Sequence, residues 1–149
     1  MVTGYSTTPG THVLTATATD NAGNTGTSAQ TYTVKNWTAK GFYQPIDMGG
    51  VLSTVKAGST VPAKFELFAG TAEFTDVSLV AMSASQITCT LSYMSGIELT
   101  ATGNTSLRYD STGGQFIYNW KTPATPGKCY QLAMTAGDGS TLSANFKLK

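Results

Sequence analysis

Apolar and polar residues alternate along most of this chain with a period of two. In Thr11–Asp20, "THVLTATATD", His12, Leu14, Ala16 and Ala18 fall on one face and Val13, Thr15, Thr17 and Thr19 on the other. That alternation predicts a half-buried β-strand. "DNAGN" follows, with Asp20 suited to an Asx-turn and Gly23 to a positive φ. Thr27–Val34, "TSAQTYTV", then returns as a second strand, so residues 10–34 read as an antiparallel hairpin. A two-stranded hairpin is marginal in water. His12, Leu14, Ala16 and Ala18 are therefore expected to be covered by something outside residues 1–35.

A longer β unit begins after "VKNWTAKGFYQPIDMGG". Between Thr60 and Phe68, Val61, Ala63, Phe65 and Leu67 share one face, and Pro62, which has no N–H to donate, sets the start of that strand at a sheet edge. Further strands are predicted at about 76–82, 86–92, 96–101, 106–110, 115–121, 128–135 and 140–147, separated by turn residues, with no helix. Short strands at even spacing argue for a β-sandwich. The chain is thus expected to divide into a hairpin, 1–35, and a sandwich, 36–149.

Composition agrees with the pattern: 26 Thr, 13 Ser and 16 Gly in 149 residues favour strands and turns over helices. Nine Lys and Arg face eight Asp and Glu. No basic face is expected, and nucleic acid is excluded as a partner. No apolar run approaches a membrane span. Met1 is followed by polar and small residues without a cationic start or apolar run, so an export signal is expected upstream of this sequence.

Little in the chain suggests chemistry. Cys89 and Cys129 lie in separate strand-like runs and lack CxxC spacing, and His12 is the only histidine. The usual zinc sets are excluded, and neither metal nor cofactor is expected. The two cysteines read as a disulfide, which fits an exported protein, with two free buried thiols as the alternative. Asp20, Asn21 and Asn24 supply fewer oxygens than calcium takes, so a plain turn is expected there. Without a second histidine no His-based nucleophile pair is in reach. Glu66, Glu73 and Glu98 could form a glycosidase-like pair only if folding joined two of them, and solvated carboxylates are the expectation. Lys64, Glu66 and Asn145 are the parts an internal isopeptide crosslink would need. The alternation, however, turns Lys64 and Glu66 away from the apolar face.

Aromatic residues are the remaining candidates. Phe116, Tyr118 and Trp120 share one face of "GGQFIYNWKT" and are expected in the core, with Trp120 packed beside the Cys89–Cys129 bridge. Trp37, Phe42 and Tyr43, between the two units, either contact a ligand such as a polysaccharide or pack the hairpin against the sandwich. Asn36-Trp37-Thr38 and Asn104-Thr105-Ser106 match the glycosylation sequon and carry no weight here.

Two resemblances sharpen this reading. Residues 10–34 resemble the closing hairpin of bacterial immunoglobulin-like repeats of the hyalin-repeat type, "L-T-A-T-A-x-D-x-A-G-N-T". Residues 37–149 resemble the bacterial PxKF domain through Pro62-Ala63-Lys64-Phe65, "TSLRYDSTGGQFIYNWKTP" and "GKCYQLAMTAGDGSTLSANFKLK". They imply an all-β protein: an immunoglobulin-like antiparallel β-sandwich preceded by the hairpin of a truncated repeat. They also imply a non-catalytic accessory module of a secreted or cell-surface bacterial protein, whose partners are upstream domains of the same polypeptide. Two alternatives stand beside it: a carbohydrate-binding module for polysaccharide or cell-wall glycan, and a homo-oligomer formed through the hairpin.

Overall fold

The computed structural model describes residues 1–91, 93–99 (backbone path) and 107–149. The chain divides into two compact units, Met1–Asn36 and Trp37–Lys149. The first is a three-stranded antiparallel sheet in the order β1-β2-β3, with β1 Val2–Thr3, β2 Gly10–Thr19 and β3 Thr25–Val34. β2 and β3 run in unbroken register from Gly10↔Val34 to Thr19↔Thr25. Their turn is built as the sequence predicts. Asp20 Oδ1 accepts from the backbone N–H groups of Ala22 and Asn24, its Oδ2 accepts from Asn24 Nδ2, and Gly23 takes φ +89°.

β1, a strand the alternation did not predict, sets Val2 opposite Ala16. Gly4 is needed where the chain leaves it: φ is +85°, and a Cβ there would lie 2.2 Å from the Val13 carbonyl oxygen. The Tyr32 hydroxyl ties down the following segment, accepting from Ser6 N–H and donating to Ser6 C=O. Along the His12 face of this unit, His12 and Leu14 are half-buried and Ala16 and Ala18 are exposed. His12 has partners within its own unit, the Tyr32 ring at 5.6 Å and the Thr8 carbonyl at 2.6 Å from Nε2. Two alanines leave little apolar area in water, so the penalty for exposing them is small.

The second unit is a sandwich of two sheets, and with it the chain is an all-β protein. The strands run β4 Trp37–Gly41, β5 Leu52–Val55, β6 Thr60–Ala69, β7 Ala72–Glu73, β8 Val80–Ile87, β9 Tyr93–Leu99, β10 Arg108–Asp110, β11 Gln115–Lys121, β12 Cys129–Ala136 and β13 Thr141–Leu148. One sheet has the order β10-β11-β6-β4 with β7 beside β6, and the other β5-β13-β12-β8-β9. Among the described residues all pairings are antiparallel except β13 with β5, which is parallel. Between the sheets lie the alternate residues of each strand: Val61, Ala63, Phe65 and Leu67 of β6, Phe116, Tyr118 and Trp120 of β11, Tyr130, Leu132 and Met134 of β12, and Ala144, Phe146 and Leu148 of β13. Phe65 stacks on Phe116 at 5.2 Å, and Trp120 meets Phe146 across the layers at 4.9 Å.

Pro62 pairs with Asn119 of β11, while on the other flank of β6 the pairing with β4 ends at Gly41↔Phe65. The missing N–H thus falls where the strand has a free side, as its chemistry requires. Where strands were expected at 76–82 and 86–92, the chain makes a one-turn 3-10 helix, Val77–Leu79, and the single strand β8. Asp76 causes the shift by capping the helix through Ser78 N–H. Past Ile87 the chain turns, with Leu91 N–H donating to Thr88 C=O.

Candidate functional site

The residues singled out for ligand contact meet different fates. β4 pairs along β6 from Trp37↔Ala69 to Gly41↔Phe65, which sets Trp37, Ala39 and Gly41 on the core side. Trp37 is half-buried, its ring 4.3 Å from that of Phe74. Its N–H donates to Asp138 Oδ2 at 3.2 Å, and a Cβ on Gly137 would come within 3.2 Å of its ring. Trp37 therefore straps the edge of one sheet to the turn between β12 and β13 in the other. Partial burial pushes the Asp138 carboxyl up. Donors from Ser140 and from Trp37 N–H outweigh it and hold the group below the usual carboxylate range.

Phe42 corrects the expectation of ligand contact. It is 3% exposed and meets Phe65 edge-on at 5.8 Å, so its ring is committed to the sandwich core. The turn that sends it inward depends on Gly41, where φ is +116° and a Cβ would sit 2.7 Å from the Lys64 carbonyl oxygen. Alternation could not reveal this burial, because residues 42–51 follow no strand period.

Tyr43 alone of the three is exposed, at 37%. Its N–H donates to Lys64 C=O at 2.9 Å and its carbonyl accepts from Ile46 N–H, while Asp47 N–H donates to Ser53 Oγ. The segment is pinned to β6 at one end and to β5 at the other. Phe42, Tyr43, Gln44, Ile46, Asp47, Met48 and Val51 line an open groove on its surface. The Tyr43 hydroxyl donates to Glu66. Desolvation, and then the Glu66 carboxylate, push the phenol up to about 12.

A second tyrosine–carboxylate pair was not foreseen. The Tyr109 hydroxyl donates to Glu73 Oε1 at 2.7 Å, and this bond above all pushes its pKa up. Glu66 and Glu73 thus each bind a tyrosine from a different element, and the Glu98 side chain lies outside the described residues. Asn104-Thr105-Ser106 lies outside them as well. Lys64 and Asn145 stand in different sheets, on β6 and β13, and Asn145 Oδ1 accepts from Gln131 Nε2. Among the described residues no cluster of His, Cys, Asp or Glu could hold a metal ion.

The cysteines are joined: Cys89 and Cys129 form a disulfide with Cα atoms 5.2 Å apart. Its position differs from the expected one. Tyr130, Leu132 and Met134 take the core face of β12, so Cys129 lies on the outer face, paired in register with Ile87 and Lys147. Trp120 instead meets the rings of Tyr130 and Phe146. The one-residue step from Cys129 to Tyr130 changes faces, and nearness in sequence does not show it.

No known family's profile matches the chain, and no curated protein matches it.

Proposed function

We propose that this chain is a non-catalytic structural module of an exported bacterial protein, a disulfide-stapled sandwich that serves as spacer, stabiliser or attachment element for domains of the same polypeptide. The observation that carries the reading is the use to which the candidate residues are put. Phe42, Phe116, Tyr118 and Trp120 fill the core, Trp37 and Asp138 tie the two sheets together, and Glu66 and Glu73 bind tyrosines. The Cys89–Cys129 bridge supports an oxidising compartment. Among the described residues no helix is long and apolar enough to cross a membrane. The resemblance of residues 37–149 to the PxKF domain, and of residues 10–34 to a hyalin-type repeat, supports placement beside immunoglobulin-like repeats.

Carbohydrate binding now rests on Tyr43 and the groove beside it, a single exposed ring where stacking platforms use several. Incubation with insoluble glucan, chitin and peptidoglycan, followed by sedimentation, tests the two readings. The chain is expected to stay in solution. Retention on any of these polymers that Tyr43→Ala abolishes would replace the structural reading with the carbohydrate one.

A further inference from the structure

The first unit ends in an edge that nothing in it protects. Among the described residues β3 pairs with β2 alone, and Thr25 through Thr31 are all exposed. Natural edges are guarded by charge, proline, a bulge or shortness. Over its ten residues, "TGTSAQTYTV", β3 has none of these. The second sandwich sheet shows the contrast, since its edge strand β5 is four residues long. The other flank of β2 is covered by the N-terminal segment, where Thr17 N–H donates to Met1 C=O, Val2 and Thr3 pair with Ala16 and Thr15, and Gly4 lies against Val13, so the opposite edge of the unit is the two-residue strand β1.

Which groups of β3 face outward follows from the turn. Asp20 N–H donates to Asn24 C=O, so Asn24 and each second residue after it direct their backbone polar groups at β2. Thr25, Thr27, Ala29, Thr31 and Thr33 direct theirs away.

We infer that this edge is a homodimer interface, in which β3 of two copies pairs antiparallel about a two-fold axis and joins the two sheets into one. Symmetry requires paired residues to share a face, which centres the contact on Ala29 or Gln30 and leaves about ten hydrogen bonds to form. The charges argue for a second copy as occupant. The strand itself carries none, so self-apposition meets no like charges. In either register Lys35 of one copy falls beside the Asp20–Asn24 turn of the other, opposite Gly23 or Thr25, and does so twice. The two-fold contact uses both β3 edges and the far edge, β1, is only two residues long, so the contact closes at two copies and does not propagate.

Light scattering and amide exchange on the full chain test this. A particle of twice 15.6 kDa is expected, dissociating on dilution. Amides of Thr25, Thr27, Ala29, Thr31 and Thr33 should be protected at high concentration and lose that protection at least tenfold on dilution. Those of Gly26, Ser28, Gln30 and Tyr32, bonded to β2, should not change. Ala29→Lys and Thr31→Lys, at exposed positions, should give monomers with an unchanged circular dichroism spectrum. A monomer at all concentrations with the outward amides unprotected would overturn the proposal. So would a dimer that survives both lysine variants, or a particle that grows beyond two copies.

Discussion

Tyr43 shows how a residue that looks free can be committed. Its ring is exposed, yet its hydroxyl is bound to Glu66 and its phenol is pushed up to about 12. A phenol whose folded pKa lies above its unfolded value of about 10 contributes stability that is fully present below pH 10. That contribution fades as pH rises towards 12. Solvent screening at an exposed ring keeps it small. Chemical denaturation of wild type and Tyr43→Phe across pH 9 to 12 is expected to show their stability difference shrinking through this window. A difference independent of pH would mean that the Glu66 bond does not set the titration. Trp37 teaches the same lesson, because the sequence offered it as a candidate for ligand contact while its backbone and ring are both engaged by the β12–β13 turn and Phe74.

At the scale of elements, β6 organises the sandwich. It takes β11 along its first half and β4 and β7 along its second, and its inward residues meet both layers. Phe65 is fully buried between Phe42 and Phe116. Phe65→Ala is expected to cost about 4 kcal/mol, the usual scale for emptying a buried aromatic site. That is a large share of a small domain's stability. A fall in the urea midpoint with an unchanged slope would record it. A loss under about 1 kcal/mol would mean that the core collapses around the gap. β3 is the opposite kind of element, long and regular but with one flank unused, and its consequences belong to assembly.

At the scale of the whole molecule, the two units differ in kind. No residue of Met1–Asn36 is buried, whereas Trp37–Lys149 holds the entire described core. Within the second unit the bridge spans 40 residues from the end of β8 to the start of β12. In the chain-entropy treatment, closing such a loop is worth roughly 4 kcal/mol. Denaturation with and without reductant is expected to show the second unit losing about that much when the bridge is opened. An unchanged midpoint would mean that the outer-face bridge locks a region already held by β8–β12 pairing.

Alternation is a local property, and it served where the answer was local. It predicts the inward residues of β6 and β11, the two strands between residues 10 and 34 and the all-β class, because successive strand side chains must take opposite faces, while Asp20 and Gly23 mark the turn by their own chemistry. The pairing of Cys89 with Cys129 was also legible, since the chain holds no other thiol. Only the tertiary structure decided that β6 lies between β11 and β4, that β5 joins β13 in parallel, that Phe42 turns into the core, and that the bridge lies on the face away from Trp120. Each of these depends on contacts between segments tens of residues apart, or on a chain direction set at a glycine. A period of two gives a strand two faces, but it does not say what each face will meet.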